Sequence, residues 1–195
     1  LSIDTSNLQV IEAAVAAGAD IWNDVRALKR QGAAAMAAKL NIPVMLMHMR
    51  GEPTTMTGLA NYEDVVSEVI TELSERIDEV VSLGVKRDKI IIDPGFGFAK
   101  DYQHHCALLT QLEQLKILKL PLMFGISRKR FLAEVLDKSG VDSFANSTPS
   151  ERDTVSTVAG LLALQQGASI IRTHNIAMVQ QVVALWRQLT TSNCQ

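Results

Sequence analysis

The sequence has 195 residues, of which 47% are hydrophobic and 21% charged, and its formal net charge is −2. That length suits one domain with a hydrophobic core, and the ordinary composition excludes a disordered or fibrous chain. The weak net charge, without a block of Lys or Arg, argues against nucleic-acid binding. No apolar run is long enough to span a membrane and no secretory signal opens the sequence, so we expect a cytoplasmic protein.

Short apolar runs alternate with longer segments of helical period, and this alternation predicts repeated βα units around a parallel sheet. Several runs are apolar almost throughout, which is typical of parallel strands buried on both faces. Six strands are predicted, at residues 1–5, 20–25, 44–49, 89–94, 122–127 and 169–174. The chain opens on Leu1 rather than Met and directly on the first of these strands, so we expect a missing upstream segment.

Four predicted helices carry clear start or stop signals. The longest, at residues 61–83, has one apolar stripe, Asn61 as its expected cap and Gly84 just past its end. The others are predicted at residues 7–17, 150–166 and 176–189. The polar stretch at residues 137–148 is expected to be a surface loop.

Six consecutive βα units fit either an open doubly wound sheet or part of an eight-stranded barrel. The first predicted strand ends in Asp-Thr-Ser-Asn, where a dinucleotide-binding sheet would carry a glycine-rich turn. We therefore predict an α/β fold, an incomplete (β/α)8 TIM barrel, in one domain that covers residues 1–195.

Polar residues recur at the carboxyl ends of the predicted strands, where a barrel gathers its active site. They are Asp4 with Thr5, Asn23 with Asp24, His48, Asp93, Ser127 with Lys129, and Arg172 with His174. Taken singly, Asp4 with Thr5 is better explained as a helix cap, Asn23 with Asp24 as a turn, and His48 as a buried core histidine. Taken together, they predict a ring of donors and acceptors that could hold a polar heterocycle at one barrel mouth.

The segment at residues 93–98 reads Asp-Pro-Gly-Phe-Gly-Phe and is predicted to be a functional loop. Its glycines allow backbone conformations that other residues avoid, and Phe96 and Phe98 can supply an aromatic wall. Arg172 offers a planar cation at a nearby strand end, and a helix that starts near Asn175 presents free N–H groups. The sequence therefore predicts an anion site, with phosphate as the expected ligand.

These motifs resemble, in order, those of the dihydropteroate synthase family. The resemblance covers essentially the whole chain and rests on residues 3–6, 21–24, 47–56, 93–98, 125–131 and 172–174. It implies a (β/α)8 barrel, usually a homodimer, of which this chain would be the C-terminal two thirds with strands three to eight. The first two strands, an Asn at the magnesium site and a mobile substrate loop would lie upstream, so no Mg²⁺ ligand is expected in this chain.

The resemblance also implies roles for individual residues. Asp4, Asn23 and Asp93 would bind the edge of a pterin ring, and Lys129 would reach its carbonyl side. Met47 and Gly125 would border the ring, while Arg172 would stack on it and pair with Asp4. The pyrophosphate would lie against Arg172 and His174, and p-aminobenzoate against Phe98 and Arg130. The expected catalytic residues are Asp4, Asp93, Lys129, Arg172 and His174.

The implied reaction is the transfer of a pterin methylene group from pyrophosphate to the nitrogen of p-aminobenzoate, a step of folate biosynthesis and a sulfonamide target. Position and charge would provide the catalysis without a protein nucleophile. One residue departs from the family: many relatives have Ser where this chain has Arg130. That cation could bind the p-aminobenzoate carboxylate or could equally point to solvent.

Two other functions stay open at this point. A pterin-binding methyltransferase domain uses a related barrel, although the motifs at residues 93–98 and 127–129 argue against it. A truncated remnant that binds a pterin without catalysis is the second.

Overall fold

The computed structural model describes residues 1–140 and 147–191 as an α/β fold. All six predicted strands are present, each shorter than expected. They are β1 (Ser2–Asp4), β2 (Ile21–Asp24), β3 (Val44–Met47), β4 (Ile90–Asp93), β5 (Met123–Phe124) and β6 (Ile170–Ile171). Within these ranges, no helix is both long and apolar enough to cross a membrane.

The strands lie side by side in chain order and are all parallel. β1 to β4 form one sheet, β5 pairs with β6, and a parallel bridge between Ile92 and Leu122 joins the two groups. This topology confirms the predicted α/β fold with parallel strands. In the described ranges β1 and β6 each pair with one strand only, so they form the two edges of this row of six strands.

In the described part of the chain, seven α-helices cover the strands. They are α1 (Leu8–Ala16), α2 (Ala33–Leu40), α3 (Val65–Ser82), α4 (Tyr102–Thr110), α5 (Arg130–Lys138), α6 (Asp153–Gln165) and α7 (Ile176–Thr191). The helices predicted at residues 7–17 and 176–189 are confirmed as α1 and α7. The one predicted at residues 150–166 is split, because Pro149–Arg152 forms a 3-10 turn ahead of α6.

The predicted start of the longest helix was wrong. Asn61 lies in the preceding turn, where its side chain donates to the Gly58 carbonyl. Asp64 is the cap, because its carboxylate accepts the free N–H groups of Val66 and Ser67 at 3.0 and 3.3 Å.

The surface loop predicted at residues 137–148 was partly wrong, because α5 continues through Lys138. Residues 141–146 of that prediction lie outside the described residues.

The strands have two faces with different surroundings. One face packs on the helices and forms the main core, with side chains from Ile3, Trp22, Val44, Leu46, Ile90, Ile92, Leu122, Phe124 and Ile171. Burial of each large side chain of this kind contributes about 1.5 to 3 kcal/mol. The opposite face, here called the inner face, carries a smaller apolar cluster of Ile21, Met45, Ile91, Met123 and Ile170.

Candidate functional site

The inner face becomes polar at the carboxyl ends of the strands. Side chains alternate between faces along a strand, so the residue two positions after each apolar inner residue points the same way. On β2 to β6 and just beyond them these residues are Asn23, Met47, Asp93, Gly125 and Arg172, and Asp4 of β1 is paired in register with Asn23. The strand register therefore places all six predicted pterin-side residues of the strand ends on one face.

Asp4 and Asn23 are joined directly. The Nδ2 group of Asn23 donates to Oδ2 of Asp4 at 2.9 Å. The other amide atom of Asn23, Oδ1, is buried without a hydrogen-bond partner. A buried acceptor of this kind is costly unless a donor reaches it, so Asn23 has an unused acceptor for a ligand. No ion pair forms between Asp4 and Arg172, two described residues that were expected to pair.

Asp93 is a buried carboxylate at the end of β4. It is 4% exposed, and its Oδ1 accepts the N–H of Gly95 at 2.8 Å. Burial raises the pKa of Asp93, while Lys129, the Gly95 N–H, Arg172 and Lys100 favour the anion. Three cations thus act on one carboxylate that has few protein donors of its own.

The loop at residues 95–98, here called the glycine-rich loop, packs tightly against its neighbours. Gly95 has φ +72°, and a Cβ at this position would overlap the carbonyl oxygen of His48. The Nζ group of Lys129 donates to the Phe96 carbonyl and lies 4.7 Å from the centre of the Phe98 ring. Burial lowers the pKa of Lys129 to about 8.

His48 is buried, but it does not lie on the inner face with the polar strand-end residues. Its Nε2 is 3.0 Å from a Glu72 carboxylate oxygen, and its Nδ1 is 2.8 Å from Nζ of Lys100. Burial lowers the pKa of His48 to about 4, so the ring is neutral and links the two charged groups. His48 therefore acts in the structure as a linking core residue.

Lys100 is a site neighbour that sequence reasoning missed. Besides His48, it donates to the Phe98 and Gly95 carbonyls at 3.1 and 3.3 Å, and burial lowers its pKa to about 7. Its position two residues after the glycine-rich loop was the available signal. Arg128 was missed too: it makes a two-pronged ion pair with Asp153 of α6 at 2.7 and 2.9 Å.

The ends of β5 and β6 meet through Ser127 and His174. The Ser127 hydroxyl oxygen lies 3.2 Å from the backbone N and 3.0 Å from Nδ1 of His174, whose side chain is exposed. Asn175 caps α7 by accepting the N–H of Met178 at 3.1 Å. His174 and exposed Arg172 thus flank the start of a helix, which is a favourable place for an anion.

Phe98 and Arg130 line the same cleft. It has a volume of about 360 Å³, and its other lining residues include Lys129, Tyr102 and His105. Arg130 is exposed at the start of α5. The geometry therefore brings together the two residues expected on the p-aminobenzoate side.

The described residues do not fit a metal site. In residues 1–140 and 147–191, no three His, Cys, Asp or Glu side chains come together as possible ligands. The use of Mg²⁺ stays a prediction, and none of these side chains is named as its ligand.

The chain is similar to proteins of known function. It is 37% identical over 188 residues to the dihydropteroate synthase of Haemophilus influenzae, with 96% of this chain and 65% of that relative covered. The chain thus spans less than two thirds of this relative's length.

Solved structures give the same result. A dihydropteroate synthase from Xanthomonas albilineans in complex with 7,8-dihydropteroate matches with a TM-score of 0.88 and 38% identity, over 98% of this chain and 67% of that one. The Yersinia pestis enzyme in a sulfonamide drug complex matches with a TM-score of 0.90 and 34% identity, over 98% and 66%. The family model of pterin binding enzymes matches residues 1–174, and the chain therefore belongs to that family.

Proposed function

We propose that this chain is the larger part of a dihydropteroate synthase, which condenses 6-hydroxymethyl-7,8-dihydropterin pyrophosphate with p-aminobenzoate. The observation that carries the proposal is the polar inner face, where Asn23 keeps a buried free acceptor beside Asp4 and Asp93 is surrounded by cations. The relatives named above, one of them a complex with 7,8-dihydropteroate, support it.

Pterin binding follows from the donors and acceptors on that face. Asp4, Asn23 and Asp93 are acceptors for the amino and N–H groups on one edge of the ring. Lys129 is the donor for the carbonyl side. Met47 and the small Gly125 leave room for a flat ring, and a Cβ at Gly125 would lie 3.2 Å from the Arg172 guanidinium. The Arg172 guanidinium thus lies directly against Gly125, and the pterin ring would stack on its opposite face.

The second substrate fits the cleft beside Phe98. The Phe98 ring supplies an apolar wall for the benzene ring of p-aminobenzoate. Arg130, in the same cleft, supplies a cation for its carboxylate. The exposure of Arg130 supports this role, because a surface cation can turn toward an incoming anion.

The leaving group belongs at the ends of β5 and β6. Arg172 offers positive charge to pyrophosphate, and His174 and the first N–H groups of α7 offer hydrogen-bond donors. Mg²⁺, if the reaction uses it, needs ligands other than the described side chains. We place its main ligand in the upstream part of the longer relatives.

The reaction exchanges one bond at the pterin methylene carbon. The C–O bond to pyrophosphate breaks with its electron pair, the aniline nitrogen forms the new C–N bond, and that nitrogen then releases a proton to solvent. Asp93 and Asp4 stabilise positive charge that develops on the pterin, and Arg172 and His174 stabilise the departing anion. The chain thus contributes position and charge, with no covalent intermediate.

Three further features belong to the proposal. The six strands are strands three to eight of a (β/α)8 barrel, and the protein acts in the cytoplasm. It pairs with a second copy as a homodimer. Exposed apolar side chains on α6 and α7 support that pairing: Val158, Leu162, Leu185 and Leu189.

A non-catalytic pterin-binding remnant is the second candidate. It is favoured by the two edge strands β1 and β6, because a barrel wall with open edges cannot close around its substrates. In that case the inner face would bind a pterin weakly, and no product would form.

Formation of 7,8-dihydropteroate tests the proposal. We would compare the purified 195-residue chain with a chimera that adds the upstream third of the Haemophilus influenzae relative. Product from the chimera alone is the expected result, since loss of even one group that stabilises the transition state commonly costs about a hundredfold or more in rate. Equal turnover by the short chain would contradict the fragment assignment, and no product from either would favour the remnant.

A further inference from the structure

His105 on α4 contacts the glycine-rich loop through its ring. It is 4% exposed, and its Nε2 lies 2.7 Å from the backbone N of Gly97. The peptide N–H can only donate, so Nε2 must be the unprotonated ring nitrogen. The proton is therefore on Nδ1, which donates to the Asp101 carbonyl. These two hydrogen bonds fix the tautomer of His105.

Packing fixes the orientation of the same ring. His105 stacks on Phe131 with centroids 4.8 Å apart and planes 22° apart, and Phe96 lies 5.9 Å away on a tilted plane. The ring cannot turn away without losing both aromatic contacts and both hydrogen bonds. His105 is thus a rigid acceptor beneath the loop.

Gly97 transmits this position to two groups of the proposed site. Its φ of +80° is open to glycine but strained for other residues. A Cβ at Gly97 would lie 2.9 Å from Cδ of Lys129, so the Lys129 chain lies directly on this peptide. Phe98 follows in the chain, with its ring next to the Lys129 ammonium. A turned Gly97 peptide would therefore displace Phe98 and Lys129 together.

We propose that His105 is a positioning residue for the p-aminobenzoate side of the site. By accepting the Gly97 N–H, its neutral ring sets the Phe98 wall and the direction of Lys129 before either substrate binds. The proposal rests on the proposed function for the identity of the ligand. Its structural part, the hydrogen bond from Gly97 to His105, does not depend on that function.

Two variants separate the acceptor from the volume of the ring. In His105→Gln the amide oxygen can occupy the place of Nε2 and keep the bond from Gly97. In His105→Asn the shorter side chain reaches only the place of Nδ1 and loses that bond. A neutral hydrogen bond contributes about 1 kcal/mol, so its loss should speed hydrogen exchange at the Gly97 amide by at least about fivefold. The Gln variant should stay within about twofold of the unchanged chain.

Ligand binding supplies the second readout. In the chimera described above, calorimetry with p-aminobenzoate, in the presence of hydroxymethyl pterin and pyrophosphate, should show weaker binding to the Asn variant and recovery in the Gln variant. Binding of hydroxymethyl pterin alone should change less in both, since its main acceptors lie on the strand ends. Equal losses for the two ligands in both variants would overturn the positioning role.

A spectroscopic measurement covers the case in which a variant does not fold. The ¹⁵N chemical shifts of His105 in the unchanged chain should show a protonated Nδ1 and an unprotonated Nε2 at neutral pH. The opposite tautomer or an exposed, fast-exchanging Gly97 amide would refute the inference. If these signals agree but the chimera does not bind p-aminobenzoate, the proposed function fails and the hydrogen bond stands.

Discussion

Nζ of Lys100 lies 2.8 Å from Nδ1 of His48, and this contact ties the loop after β4 to the end of β3. The other ring nitrogen of His48, Nε2, is hydrogen-bonded to Glu72 of α3, whose other carboxylate oxygen binds Arg50. Burial alone would raise the pKa of Glu72, but the hydrogen bonds with His48 and Arg50 outweigh it and lower the pKa to about 2. Lys100, neutral His48, Glu72 and Arg50 thus form a partly buried chain of contacts that supports the glycine-rich loop.

Replacing Lys100 should destabilise the fold. Lys100→Met keeps most of the volume but leaves the ring nitrogen of His48 and the carbonyls of Phe98 and Gly95 without this donor. We expect a loss of about 1 to 3 kcal/mol in the free energy of unfolding, measured by urea denaturation. Lys86→Met, at an exposed position, is the control and should change stability by less than about 0.5 kcal/mol. Similar values for both would show that the buried ammonium has no supporting role.

Gly95 should tolerate no side chain. Gly95→Ala adds a Cβ where the His48 carbonyl already lies, whereas Gly140 has the same φ of +72° and open space around it. Gly140→Ala therefore measures backbone strain alone, about 1 kcal/mol. Gly95→Ala should cost a further 1 to 3 kcal/mol, roughly the penalty of overpacking, in the same unfolding assay. Equal costs would mean that the loop can move away from β3.

Stability should fall in mild acid because of His105. Burial lowers its pKa to about 4, with Lys100 and Lys129 acting in the same direction and the hydrogen bond to Asp101 opposing. The unfolded chain, with an ordinary histidine pKa near 6.5, then binds more protons between these values. The free energy of unfolding is therefore highest above about pH 6.5 and decreases as the pH falls toward about 4.

Between about pH 7.5 and pH 5 this one group should remove roughly 2 kcal/mol. His105→Gln has no such titration, so its stability should depend less on pH by that amount. Urea denaturation of both proteins at the two pH values measures the difference. Equal pH dependence in the two proteins would show that folding leaves the pKa of His105 at its ordinary value.

His174 should distinguish the charged from the uncharged pterin. His174→Ala removes a group just before the start of α7 and leaves the strand-end acceptors in place. Binding of the pyrophosphorylated pterin should weaken by about 1.5 to 3 kcal/mol, while the bare hydroxymethyl pterin should bind almost unchanged. Equal losses for the two ligands in calorimetry would show that His174 serves the structure through Ser127.

The strands and their polar ends were predictable because both signals are local. Apolar runs mark buried strands, and alternation along each strand puts Asp93 on the same face as Ile91 without any tertiary information. The start of α3 was missed because Asn61 and Asp64 are both good caps by type. Only the structure shows that the Asp64 carboxylate reaches the free N–H groups.

The partners of Lys100, His105 and Arg128 could not be read from the sequence. Lys and Arg are mostly exposed in proteins and His is intermediate, so the residue types of Lys100, His105 and Arg128 predict no buried contact. Their roles depend on partners far along the chain, such as His48 for Lys100 and Asp153 for Arg128. Local patterns carry no information on such pairs, and a single sequence shows no covariation that could reveal them.

The most direct test of the account is the binding of hydroxymethyl pterin to Asp93→Asn, measured by calorimetry in the chimera described above. Asp93→Asn keeps the shape of the side chain but removes the charge, and binding should weaken by about 2 to 5 kcal/mol, as when a buried charged partner is lost. The control is Asp88→Asn, an exposed carboxylate just before β4 at the other end of the same strand, which should bind as the unchanged chimera does. Pterin affinity that is equal in the unchanged chimera and in both variants would contradict a pterin site on the inner face.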